Sequence, residues 1–157
     1  MTTSYTYIVT IGVIMLVTFT TAALFLQQVN SVDYAAKRSA LSVAASHVLS
    51  GIWSAVEEVK LTQSGREFKS VSVGFPFRAE IGSSPRTGDL VVCVTAMGIT
   101  YERPLPVIQG VQYVPSASGG DRVGVLVEMS GGRASVRLVN VGNDGNLISD
   151  NPGLCLR

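Results

Sequence analysis

Charge is missing from the first 32 of the 157 residues. A surface helix keeps one polar face for water, so this stretch is excluded from being one. Proline is missing before Pro76, and the only glycines before Gly65 are Gly12 and Gly51, so nothing breaks a helix there. Histidine occurs once, at His47. A Ser/His/Asp or Cys/His relay would have to use it, yet helical spacing places it on a polar face with Ser46, Ser50 and Ser54. No glycine-rich loop joins a strand to a helix and no Gly-x-Ser-x-Gly elbow occurs, which removes the nucleotide and hydrolase fingerprints. None of Asn30, Asn140, Asn143, Asn146 and Asn151 has Ser or Thr two residues on, so N-glycosylation is excluded. A basic excess is also absent: the net charge is +1 and 15% of residues are charged, which argues against a phosphate-neutralising face and a nucleic-acid partner. The expectation is a protein that is not an enzyme and has no cofactor, metal or small-molecule substrate.

What is present begins with residues 8–26, 19 positions that are mostly Ile, Val, Leu, Phe, Ala and Met. That length spans a bilayer. A cleavable signal would bring a basic n-region, whereas residues 1–7 contain no Lys or Arg. Beyond Leu26 the pattern becomes one-sided, with Val29, Val32, Ala36, Ala40, Val43 or Ala44, Val48, Ile52, Val56 and Val59 at steps of three and four. One helix over residues 1–60 is therefore predicted, with an apolar assembly or membrane segment at 8–26 and an amphipathic continuation at 29–60. Ile8, Ile11, Ile14, Met15, Val17, Phe19, Leu24 and Phe25 are expected to meet other helices or lipid. Val43, Val48, Ile52 and Val56 are expected to pack on the chain's own sheet, with Trp53 as a further anchor. Gly65 suits a left-handed cap at the helix exit.

Residues 66–157 read as one all-β domain, since about 97 residues remain after the helix and suffice for one compact unit. Strands are expected at 68–75 with an extension over 77–81, and at 90–95, 99–102, 107–114, 123–129 and 134–141. Residues 130–133, Ser-Gly-Gly-Arg, suit a tight hairpin, and residues 116–120 read as an exposed loop. Short strands with turn signals about every ten residues predict an antiparallel sandwich or barrel, and the class as a whole is α+β.

The two cysteines, Cys93 and Cys155, are read as a disulfide, because an even pair behind a membrane-entry segment belongs to an oxidising compartment. Asn143, Asp144, Asn146 and Asp150 offer hard oxygen atoms, but Asn-Asp-Gly is also what a plain turn requires and the order does not match an EF-hand loop. A surface poor in charge suits contact with other protein.

An uncharged apolar helix at the N-terminus, continuing as an amphipathic helix into a β-domain with two cysteines, resembles the type IV pilin superfamily. Within it, the all-β head and the absence of an early acidic residue look more like archaeal pilins and archaellins. Bacterial members have glutamate at the fifth mature position, where this chain has Tyr5. The resemblance implies a subunit of a helical homopolymer at the cell surface, for adhesion or motility, with helices bundled inside and β-domains outside. It also implies residence in the cytoplasmic membrane before assembly. The other expectation is a bitopic membrane protein with an exported β-domain that binds a partner.

Overall fold

The computed structural model describes residues 2–63, 65–141 and 147–148, with side-chain environments for residues 7–63 and 65–141. Helix α1 (Thr2–Thr62) runs through both the uncharged and the one-sided stretch. At its exit Gln63, not Gly65, takes the left-handed conformation, with φ of 51°. The chain divides into two compact units, Met1–Lys37 and Arg38–Arg157. This boundary lies inside the helix instead of at its end, because the one-sided stripe of the second half belongs to the β-domain's core.

Among the described residues of the second unit seven strands follow the helix: β1 (Arg66–Ser83), β2 (Leu90–Ala96), β3 (Ile99–Pro104), β4 (Val111–Tyr113), β5 (Ser116–Ser130), β6 (Arg133–Val141) and β7 (Leu147–Ile148). They form one curled sheet, a half-barrel, in the order β3-β2-β1-β5-β6-β4 with β7 also on β6. The α+β class read from the sequence holds. The sheet is mixed and not wholly antiparallel, because β4 runs parallel to β6. The expected strand at 107–114 shrinks to Val111–Tyr113. Pro104 and Pro106 lack the N–H a ladder needs, and Val107 between them and β4 is fully exposed.

The curl has a local cause in β1. Its ladder with β5 shifts register between Ser72 and Phe77, and Pro76 sits in that gap, where no ladder bond is demanded of it. Inward alternation survives the shift, so Val71 before it and Phe77, Ala79 and Ile81 after it all enter the core. The hairpin between β5 and β6 turns on Gly131 and Gly132 at φ of 57° and 79°, as a primed turn requires.

Residues 116–120, read as a loop, form the first part of β5 instead, with Ser116, Ala117 and Ser118 buried. The serines are tolerated inside because their hydroxyls are satisfied. Ser118 Oγ donates to the Val139 carbonyl at 2.7 Å, and Ser116 Oγ accepts from the Leu138 N–H at 2.8 Å.

The core sits between the helix and the concave face of the sheet. Leu41, Ala44, Ala45, Val48, Ile52, Ala55, Val56 and Val59 are buried in one cluster with Val71, Ile81, Val92, Val94, Val123, Val125, Val127 and Leu138. Val48, Ile52 and Val56 thus pack as expected. Val43 does not: it is 52% exposed, and Ala44 takes the buried place, since one residue is about 100° of helix and only one of the two neighbours faces the sheet. Trp53 is likewise exposed at 41%, one step off the buried row through Ile52 and Val56. Gly51 marks a close approach of helix and sheet, for a Cβ there would lie 2.7 Å from Val71 Cγ2. At the rim of this contact Lys69 bonds to Ser54 and pairs with Glu58 at 2.8 Å, and Arg103 donates to Ser46.

Candidate assembly surface

The first unit is helical throughout its described residues, and every side chain from Tyr7 to Ala36 is exposed. At about 100° per residue, Ile8, Met15 and Phe19 lie on one side, Val17 and Leu24 on the opposite side, and Ile11, Ile14 and Phe25 on a third. Val9 and Leu16 fill the remaining arc. No side of the helix is polar.

Exposure here is large: 68% for Ile8, 74% for Phe19, 67% for Leu24 and 65% for Phe25. Ile11 is the least exposed of the eight predicted contact residues, at 37%. Full burial of such side chains is worth about 1.5–3 kcal/mol each, so the eight together favour leaving water by roughly 10–25 kcal/mol. By length and composition this helix is able to cross a membrane.

The threonines in this stretch do not oppose that transfer. Thr18 Oγ1 donates to the Ile14 carbonyl at 2.8 Å, Thr20 Oγ1 to Leu16 at 2.9 Å and Thr21 Oγ1 to Val17 at 2.7 Å. A hydroxyl moved out of water without a partner costs a few kcal/mol, and these carry their partners with them. Gly12 has open space around its Cα, which lets a neighbouring backbone come close. The first charged groups are Asp33 and Lys37, paired at 2.6 Å across one helical turn. They mark the end of the apolar surface.

In the second unit a cleft of about 730 Å³ opens beside the turn between β3 and β4, lined in part by Leu105, Pro106, Ile108, Tyr113 and Arg133. The Tyr113 hydroxyl donates to the Pro106 carbonyl at 2.9 Å, and burial raises its phenol above the ordinary pKa, so it stays a neutral donor. His47, the sole histidine, is exposed on α1 as its helical spacing predicts. Among the described residues no group of three His, Cys, Asp or Glu is placed to hold a metal ion.

Of the predicted cysteine pair, Cys93 is buried on β2, between Glu80 of β1 and Glu102 of β3. Cys155 lies outside the described residues, as do Asn143, Asp144, Asn146 and Asp150. Sequence reasoning missed Leu41 and Leu49 of the buried stripe. Their signal was present, since Leu41, Ala45, Leu49 and Ile52 keep the same steps of three and four. Comparison with known proteins finds no matching family model, curated relative or solved structure.

Proposed function

We propose that this chain is a structural subunit of an extracellular helical filament, similar in plan to archaeal members of the type IV pilin superfamily. The N-terminal helices bundle in the filament core and the β-domains lie outside. A single observation carries this reading: a helical segment apolar on every side, with every side chain from Tyr7 to Ala36 exposed in the isolated chain, needs lipid or other helices around it. The same surface serves both stages, residing in the cytoplasmic membrane before assembly and against copies of itself afterwards. Satisfied threonines and the small residues Gly12, Ala22 and Ala23 support close helix contacts in the second stage. Adhesion or motility is the role such a filament would serve.

A second reading leaves the helix in lipid and makes the β-domain an exported binding module. The length and composition of the helix favour it equally. Electron microscopy of the native protein purified without detergent separates the two. Regular filaments are the expected result, and material that is soluble only as detergent-bound monomers would overturn the filament.

A further inference from the structure

One side of α1 in the second unit carries a row that the core does not use. Trp53, Glu57 and Leu61 follow one another at steps of four, and all three are exposed, Trp53 at 41% and Leu61 at 83%. Ile52, Val56 and Val59 bury the other side of the same turns against the sheet. Lys60 is exposed beside the row. Glu58 is taken by Lys69 at 2.8 Å, whereas Glu57 and Lys60 enter no ion pair among the described residues. The row thus joins two large apolar side chains to an unspent charge of each sign.

The cleft between β3 and β4 is its counterpart. Leu105, Ile108 and Val111 give it an apolar lining, and Asp89 and Arg133 line it as well. Both charged residues are exposed, and neither enters an ion pair, with the other or elsewhere, among the described residues. An apolar surface with one free cation and one free anion stands opposite in sign, point for point, to the helical row.

We propose that the row of one copy docks in the cleft of the next, with the Trp53 indole among Leu105, Ile108 and Val111, Glu57 against Arg133 and Lys60 against Asp89. This rests on the filament reading and deepens it by naming a contact between neighbouring β-domains. Charge complementarity at two points selects a second copy as the occupant. Within one chain the row is exposed, so it does not fill its own cleft. Other exposed apolar side chains of this unit fit less well: Val43 and Met97 have no Asp, Glu, Lys or Arg within four positions, and Leu90 and Val107 line the cleft themselves. A half-exposed indole is also the side chain with most to gain from such a seat, being large, rigid and cheap to order.

The contact joins two different patches, so each copy keeps one row and one cleft free for further neighbours. Contacts of that kind run on from copy to copy as a helix unless the rotation closes a ring. Small on its own, it sets how adjacent β-domains sit once the apolar helices have bundled.

Trp53 is the chain's sole tryptophan, which makes its fluorescence a direct probe in the full-length protein. Iodide quenching of Trp53 should be at least threefold weaker in filaments than in the detergent-dispersed monomer. Filaments with Trp53 still open to iodide would overturn the docking and leave the filament standing, whereas native protein that never assembles would overturn both. An indole already shielded in the monomer would assign its cover to its own chain and sink the contact between copies. Arg133→Glu and Glu57→Arg should each return quenching in filaments to near the monomer value, and the double variant should restore the shielding. Shielding that Arg133→Glu leaves intact would seat Trp53 on another surface and overturn the cleft as its partner. Should a single variant not assemble, recovery of filaments in the double variant decides by the same logic, and its absence overturns the pair.

Discussion

The two halves of α1 show what one secondary structure does with two side-chain patterns. In the second unit the helix buries one stripe, Leu41 to Val59, against valine-rich strands and turns Val43, His47, Ser50 and Trp53 to water. In the first unit the same backbone carries Ile, Phe and Leu on all sides and buries none of them within the chain. Backbone hydrogen bonding is alike in both, so the difference lies in where the apolar area finds a partner. The second half is completed by the fold of one chain; the first finds no cover among the described residues.

The sharpest way to break this contrast is Leu24→Asp or Val17→Asp, which puts an unpartnered carboxylate into the surface proposed for assembly at a cost of several kcal/mol per subunit. Filament yield by electron microscopy should collapse while the circular dichroism of the β-domain stays unchanged. Removing residues 1–30 should convert the protein into a soluble, folded monomer by light scattering, since the stripe inside the chain is kept. An unfolded or filament-forming product would show that the halves are not independent.

Ile52→Ala probes the other half. It deletes a side chain that is 1% exposed, and should lower stability by about 2–4 kcal/mol in chemical denaturation without affecting the apolar surface of residues 8–26. Gly51→Val should cost about 1–3 kcal/mol, because its new atoms meet Val71 and Val125 and must push helix from sheet.

A smaller effect concerns pH. Tyr113 keeps its proton more firmly in the fold than in the unfolded chain, so its contribution is whole below the unfolded value near 10 and is lost as pH rises through the higher folded value. Tyr113→Phe should therefore flatten the alkaline end of the stability profile and cost about 1 kcal/mol at neutral pH through the bond to Pro106. Val43→Ser, by contrast, should change folding stability by no more than about 0.5 kcal/mol.

Much of this was legible in the residues. The helix followed from absent breakers and from the change of apolar period, and β2, β3 and β6 were recognisable within two residues at each end. Val43 misled because two apolar neighbours, Val43 and Ala44, fit a stripe equally until the sheet selects one. The strand at 116–120 was hidden because Ser-Ala-Ser-Gly-Gly has turn composition, and only the partners supplied by Val139 and Leu138 make it a buried strand. Parallel pairing of β4 depends on contacts between residues more than 20 apart, which local pattern does not encode. The exposed apolar surface of residues 8–26, in contrast, is a property of composition alone, and was readable for that reason.

The margins of the sheet bear on how crowded copies of this protein stay orderly. At one margin β3 is six residues long, carries Glu102 and Arg103 and stops at Pro104; at the other, β4 offers three residues. A growing cross-β stack needs a long, flat, uncharged ribbon of unused amide groups to copy, and neither β3 nor β4 is long enough to be one. In the filament proposed above, where copies would be packed at high local concentration, neither of these two strands gives a neighbouring domain a ribbon to extend.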